Sequence, residues 1–412
     1  MVYVGVDWSD KFHQVYITDD AAGCLDAFSI SHSPEGVVEL FSHLEKFAIS
    51  TKEALFAIEK PSGLLVGAIL DKGFILYPIN PKAVDRYRDR YKVSGKKDDF
   101  FDAKVLANIL RTDRHNHRPL LPDSPLTRHL KILTHQHESL SRLKRRIINQ
   151  IISTLKDYYP VALEIFGKID QQVTVNFLKK FPTPETFSKL TRGKIKRFLH
   201  AHHYPGVEKE TEEIYQLVQG PHFQVEEFVV ESRSLYLSTL LVQLENLLVS
   251  LKTFEEKIEG LLFQHPDKDI FLSLPGSGKI TAAKFISEFG DHRERYEKAS
   301  SIQAIAGTCP VTEQSGRYKN VYFRRSCRKF FRNTVTQFAF SSLRESDWAK
   351  ERYRKHAHSG KKKSHALRCL GNAWLEVIFP MWKNRSTYDE RKHLKIVKEQ
   401  FLEDFLPVSL SC

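Results

Sequence analysis

Two interleaved apolar series constrain this chain more than any other feature. Leu237, Leu244, Leu251 and Ile258 recur every seventh residue, and Leu240, Leu247, Phe254 and Leu261 repeat the spacing three residues on. Apolar side chains at that period form one narrow stripe along a long α-helix, and the stripe requires a partner helix. Two partners satisfy it. One is residues 126–155, a long basic helical segment with Lys144, Arg145 and Arg146 together, folding back within the chain. The other is the same helix of a second copy. Gln243, Glu245 and Asn246 interrupt the run, which argues against a membrane span.

The first 118 residues follow a different pattern. Short apolar runs at residues 2–6, 12–18 and 24–30 are separated by turn residues and read as a three-strand meander. Ser33-Pro34-Glu35 opens a helix, with a cap, a proline in the first turn and an acid against the helix dipole. Residues 54–58 form a buried strand stopped by Pro61, residues 63–70 a helix closed by Gly73, and residues 74–79 a further strand stopped at Asn80-Pro81. Strands mixed with helices define an α/β domain. The expected organisation is an α/β domain over 1–118, a helical coiled-coil region over 119–262, a mainly α domain over 263–390 and a tail over 391–412. Residues 160–230 offer turns and no usable motif.

Four carboxylates stand at element ends in the α/β domain. Asp7 ends the first strand and Glu59 follows the fourth, while Asp99 and Asp102 lie where a helix begins, in Lys-Lys-Asp-Asp-Phe-Phe-Asp-Ala. Asp99 is preferred to Asp98 because a spacing of three puts it on the same helix face as Asp102. In a meander sheet of the ribonuclease H kind, the first and fourth strands are neighbours, so Asp7 and Glu59 converge. Clustered carboxylates repel one another and are tolerable mainly around divalent cations. Oxygen donors suit magnesium, which binds substrate phosphates. Read singly, each of the four is an ordinary turn or helix cap.

Farther on, Leu274-Pro-Gly-Ser-Gly-Lys-Ile-Thr resembles a phosphate loop but fails its rule. Ile280 follows Lys279, and Ser273 stands where the first glycine belongs. A tight turn between two helices, with Lys279 and backbone amides near a phosphate, is the better reading. Gln314-Ser315-Gly316 then precedes a basic stretch: Arg317, Lys319, Arg324, Arg325, Arg328, Lys329 and Arg332, interleaved with Tyr318, Tyr322, Phe323, Phe330 and Phe331. Guanidinium groups fork onto phosphates, and the aromatics either stack or anchor. A serine there becomes a nucleophile only with an activating base or metal.

Composition narrows the partner. The 412 residues carry a formal charge of +13, a surplus that favours a polyanion. The five cysteines include no C-x-x-C pair, so neither a zinc knuckle nor a redox motif is expected. No basic leader precedes the first strand, and a cytoplasmic protein with reduced thiols is the expectation.

Taken in order, these residues resemble a known family. Asp7, Glu59 and Lys97-Asp-Asp99-Phe-Phe-Asp102-Ala are similar to the RuvC-like N-terminal domain of the insertion-sequence one-ten transposases and Piv-type DNA invertases. Pro275-Gly-Ser-Gly-Lys-Ile-Thr-Ala-Ala, Glu288-Phe-Gly-Asp291, Gly307-x-x-Pro310 and Gln314-Ser315-Gly316 resemble that family's second domain, with Thr308-Cys309 departing from its pattern. The resemblance implies magnesium (or manganese) held by Asp7, Glu59, Asp99 and Asp102, and Ser315 as a nucleophile that joins covalently to DNA. It also implies double-stranded donor and target DNA, a structured guide RNA, and a dimer or tetramer. Three readings compete. A junction resolvase would use the same carboxylates with water. An actin-like ATPase would need glycine-rich phosphate loops in both halves. A non-catalytic nucleic-acid-binding protein would leave the ordered carboxylates without a role.

Overall fold

The computed structural model describes residues 1–47, 50–91, 100–316, 318–391 and 394. The chain forms two compact units, Met1–Pro122 and Asp123–Cys412. The first is built on a five-stranded sheet, β1 (Val2–Asp7), β2 (Phe12–Asp19), β3 (Cys24–Ser31), β4 (Ala54–Ile58) and β5 (Ile75–Pro78), in the order β3-β2-β1-β4-β5. The three-strand meander is antiparallel, whereas β1, β4 and β5 run parallel, with Val6 opposite Ile58.

Helices cover both faces, which is why β1 and β4 read as continuous apolar runs. Val4, Val6, Phe56 and Ile58 face α1 (Pro34–Glu45) and α2 (Leu64–Asp71). Tyr3, Leu55 and Ala57 face α3 (Pro81–Tyr91) and α4 (Phe101–Asp113). The Ser33 hydroxyl caps α1 as its sequence predicts, accepting the Gly36 amide. Gly5 sits under α4, and a Cβ there would overlap the Ala103 carbonyl.

The second unit is organised by two long helices lying side by side, α5 (Pro125–Tyr158) and α11 (Glu227–Gln264). Of the two partners the heptad allows, the structure places α5 of the same chain against it. Leu237, Leu240, Leu244 and Leu247 pack with Ile147, Ile151 and Leu155. At the other end, Ile258 and Leu262 pack with Leu130 and Leu133. By length and composition α11 is apolar enough to cross a membrane, yet this stripe is buried in the unit's own cores.

Each end of the pair carries a core of its own. Five short helices occupy residues 160–230: α6 (Ala162–Ile165), α7 (Gln172–Lys180), α8 (Pro184–Ser188), α9 (Arg192–Ala201) and α10 (Val207–Gln219). They close around Phe177, Phe187 and Phe198. At the opposite end, α12 (Lys268–Leu272), α13 (Lys279–Phe289), α14 (Ala299–Ala306), α15 (Lys329–Ser342), α16 (Asp347–His358) and α17 (Lys363–Asn384) enclose Phe271, Phe285, Phe338, Trp374 and Trp382. This end is mainly α, with one addition the sequence did not predict: an antiparallel hairpin, β6 (Val311–Ser315) and β7 (Tyr318–Tyr322). Its strands are short and polar on both faces, so they show no apolar alternation.

Candidate active site

The sheet's alternation determines what stands at its end. Tyr3 and Gly5 point to the α4 face, and so does the next residue of that parity, Asp7. Leu55 and Ala57 share the same face, and Glu59 follows in the same parity. Parallel pairing of β1 with β4 sets the two carboxylates side by side at the same end of these central strands. Asp102 lies in the first turn of α4, and the bare Gly5 surface lets that helix approach β1. Asp98, Asp99 and Arg317 fall outside the described residues.

The charges of these groups act on one another. Burial pushes the Asp7 carboxyl above the usual carboxylate range, the Asp102 charge adds to this, and Arg88 opposes it. Burial also raises Glu59, with Asp7 next in effect, Arg88 opposing, and Asp102 and Asp85 adding smaller contributions. Asp7, Glu59 and Asp102 thus form one electrostatic cluster. Among the described residues no three His, Cys, Asp or Glu side chains are drawn together as a ready metal-binding group. The guanidinium of Arg88 on α3 lies against one of the three carboxylates. Its Nε donates to Asp102 Oδ1 at 2.6 Å, its Nη2 to Asp102 Oδ2, and its Nη1 to Asp85 Oδ1 at 3.2 Å. The donor set is all oxygen and suits magnesium, and the structure holds an arginine against one member of it. Sequence reading missed Arg88 and Asp85, since both lie in a run of mixed charge (Asp85 to Arg90) that reads as a solvated helix face.

Residues next to the carboxylates tie the strand ends together. Lys60 Nζ lies 3.3 Å from the centroid of the Trp8 ring, linking the residue after Glu59 to the residue after Asp7. Behind Trp8, buried His13 accepts the Ser9 amide at Nδ1 (3.2 Å), so its Nε2 carries the proton and donates to His32 Nδ1 at 2.8 Å.

In the second unit, Ser315 ends β6 and pairs with Tyr318 on β7, joined through Gly316 at φ 56°. It is exposed, as is most of the hairpin. The basic stretch divides into held and free members. Arg324 donates to the carbonyls of Cys309 (3.4 Å) and Pro310 (3.3 Å), and Arg328 reaches the buried carboxylate of Glu288 at 3.4 Å. Lys319, Arg325 and Lys329 are exposed and have no ion pair among the described residues. Phe331 is buried, Phe330 stacks on His135, and Phe323 lies under Arg332 and Arg368, so these three rings are anchors. The Pro275–Lys279 stretch is a turn between α12 and α13, as expected. Two of its polar groups are engaged within the protein, the Gly276 amide donating to Glu345 at 2.6 Å and Lys279 pairing with Glu259, while the buried Ser277 hydroxyl has no hydrogen-bond partner among the described residues. Glu288 and Asp291 join a polar seam along α5. Glu288 binds His135 at 3.0 Å, and Asp291 accepts Thr127 at 2.6 Å and the Ser124 amide at 2.5 Å.

Comparison with known proteins adds identity to this geometry. Residues 4–160 match a transposase family model of the DEDD type, and residues 268–354 match the model described as "Transposase IS116/IS110/IS902 family". The mini-circle putative transposase for IS117 of Streptomyces coelicolor is 32% identical over 397 residues, spanning 95% of this chain and 96% of the relative. The insertion element IS900 uncharacterized 42 kDa protein of Mycobacterium paratuberculosis is 23% identical across 94% of this chain and 97% of its own length. The insertion element IS110 uncharacterized 43.6 kDa protein of Streptomyces coelicolor is 23% identical across 95% and 96%. Family matches at both ends of the chain and a relative similar along its whole length define a DNA-cutting and rejoining transposase. The chain belongs to the IS110 family of transposases.

Proposed function

We propose that this transposase breaks and rejoins DNA with a divalent-metal carboxylate site and a serine nucleophile. The observation that carries the reading is that Asp7 and Glu59 stand at the same end of the paired strands β1 and β4, with Asp102 of α4 near enough for its charge to raise both. The strand order and mixed pairing support a ribonuclease H-like, RuvC-like fold for residues 1–118. Asp7, Glu59 and Asp102, with Asp99, would hold magnesium or manganese, which supplies charge stabilisation at a phosphodiester. The chain's own part is to orient these carboxylates and present a hydroxyl. Ser315 Oγ would attack phosphorus, losing its proton. The bond from phosphorus to one DNA oxygen breaks, that oxygen takes a proton, and the strand stays joined to the protein as a serine phosphodiester. Reversal onto another strand then needs no outside energy source.

Further parts of the chain support the partners. Exposed Lys319, Arg325 and Lys329 suit donor and target DNA phosphates. A shallow groove of about 640 Å³ along α5, lined by Arg142, Arg145, Arg146, Asn149, Gln150 and Ser153, suits a structured guide RNA. A second apolar series on α11, Phe228, Leu235, Val242 and Val249, also recurs every seventh residue. These four residues are 64%, 69%, 51% and 65% exposed. A free stripe beside the covered one supports a coiled coil with another copy, and so a dimer or tetramer.

Suicide DNA substrates and denaturing gels test the reading. A protein–DNA band is expected with wild type and absent from Ser315→Ala. Asp7→Ala, Glu59→Ala and Asp102→Ala should each abolish cleavage while the protein stays folded. A band that survives Ser315→Ala removes the serine. Cleavage without any adduct, still dependent on the carboxylates, turns the reading to hydrolysis by water.

A further inference from the structure

The five aromatics interleaved with the basic stretch do not share one role. Phe323, Phe330 and Phe331 are packed against neighbours, as described above. Tyr318 and Tyr322 are not: they are 81% and 49% exposed, and no ring or hydrogen-bond partner is found for either among the described residues. Both belong to β7, and register fixes where they stand. Ser315 is directly opposite Tyr318, and Val311 is opposite Tyr322. In an antiparallel pair, directly opposed side chains share a face, and alternate residues of each strand join them. One face of the hairpin therefore carries Ser315, Tyr318 and Tyr322 together, with the Glu313–Asn320 pair between the two rings and Val311 beside Tyr322. The opposite face carries Gln314 and Lys319 with Thr312 and Val321.

An isolated two-stranded hairpin is marginal in water, and leaving its largest rings uncovered gives it no core. Such rings call for an occupant, and the charge around them says which. Lys319 on the other face and Arg325 and Lys329 farther along the chain are exposed, against a single acid, Glu313, on the tyrosine face, and no acid lies between residues 314 and 344, so the cationic surplus favours a polyanion as occupant. Phosphates satisfy the cations but not a flat phenol ring. The faces of unpaired bases do, because every base offers a π-face whatever its sequence.

We propose that Tyr318 is a base-stacking site, which holds an unpaired base of the DNA strand beside the phosphate presented to Ser315. Tyr322 extends the same platform, about 14 Å farther along the strand at the usual rise per residue. The inference rests on the serine reading only for which phosphate lies alongside. The stacking itself requires just the hairpin.

The test uses the full-length protein and an oligonucleotide with 2-aminopurine at an unpaired position next to the cleaved phosphate. Stacking on Tyr318 should quench the 2-aminopurine fluorescence. Tyr318→Ala should relieve the quenching and weaken binding about 5- to 150-fold, the loss of one base–aromatic stack. Tyr318→Phe and Tyr318→Trp should restore both, since the ring and not the hydroxyl acts. An unchanged melting temperature for Tyr318→Ala excludes misfolding. Ser315→Ala should keep the quenching, so a missing covalent adduct with quenching intact sinks the serine reading and leaves this one standing. Unaltered quenching in Tyr318→Ala overturns the inference. So does Tyr318→Phe behaving like Tyr318→Ala, or an equal loss of affinity for fully paired DNA.

Discussion

At the scale of single residues, Arg88 matters most for the carboxylate site. It forks Asp102 and touches Asp85 while its charge reaches Asp7 and Glu59. A metal drawn to Asp102 has to displace it. Arg88→Gln should therefore tighten manganese binding, measured by electron paramagnetic resonance, by up to about fivefold, the scale of a half-exposed ion pair. Weaker binding in that variant would mean that Arg88 builds the site instead of competing for it. Gly5 is the second such residue. Gly5→Ala would drive a Cβ into the Ala103 carbonyl, and overpacking of this kind costs about 1–3 kcal/mol. Its melting temperature should fall, with α4 and Asp102 displaced. An unchanged melting temperature would show that α4 can slide without penalty.

At the scale of elements, α11 presents one covered and one open stripe. Leu235→Glu with Val242→Glu should leave the monomer folded, because neither side chain is in a core, and should reduce self-association in sedimentation. Association that survives both changes places the interface elsewhere. The basic stretch makes a second prediction. Arg325 is exposed and has no ion pair among the described residues, whereas Arg324 and Arg328 are engaged within the protein. Arg325→Ala should lower the salt slope of DNA binding by about one unit. An unaltered slope removes Arg325 from the interface.

At the scale of the whole molecule, the metal-free protein should register its carboxylates as a cost. Burial and neighbouring charge let Asp7 and Glu59 keep their protons to higher pH in the folded state than in the unfolded chain. Stability should fall as pH rises from about 4 through that window. In chelator at neutral pH, Asp7→Asn should then melt above wild type. The two should converge below about pH 4, where Asp7 is protonated in both states. Magnesium should raise the melting temperature of wild type alone. A less stable Asp7→Asn would show that the charge is needed for folding.

Much of this was legible in sequence where one physical signal dominated. The meander, the Ser33 cap and the heptad each follow from periodicity or capping, and Asp7 and Glu59 from strand ends. The heptad did not decide its own partner, because a seam of leucines is satisfied by any helix. Residues 160–230 were illegible because their helices are short and share one core assembled from all five. The hairpin had no apolar alternation to announce it. Arg88 was hidden because its meaning depends on Asp102, fourteen residues away in the chain.

That hairpin has an evolutionary consequence. Nearly all of it lies outside the cores, so substitutions along β6 and β7 leave the folding free energy almost untouched. Positions of this kind are free to drift. Selection on them is filtered by what the protein grips and not by whether it folds. A mobile element that must settle in new hosts gains from such a surface, since variants of the DNA contact proposed for this hairpin arise without being lost first to aggregation or proteolysis.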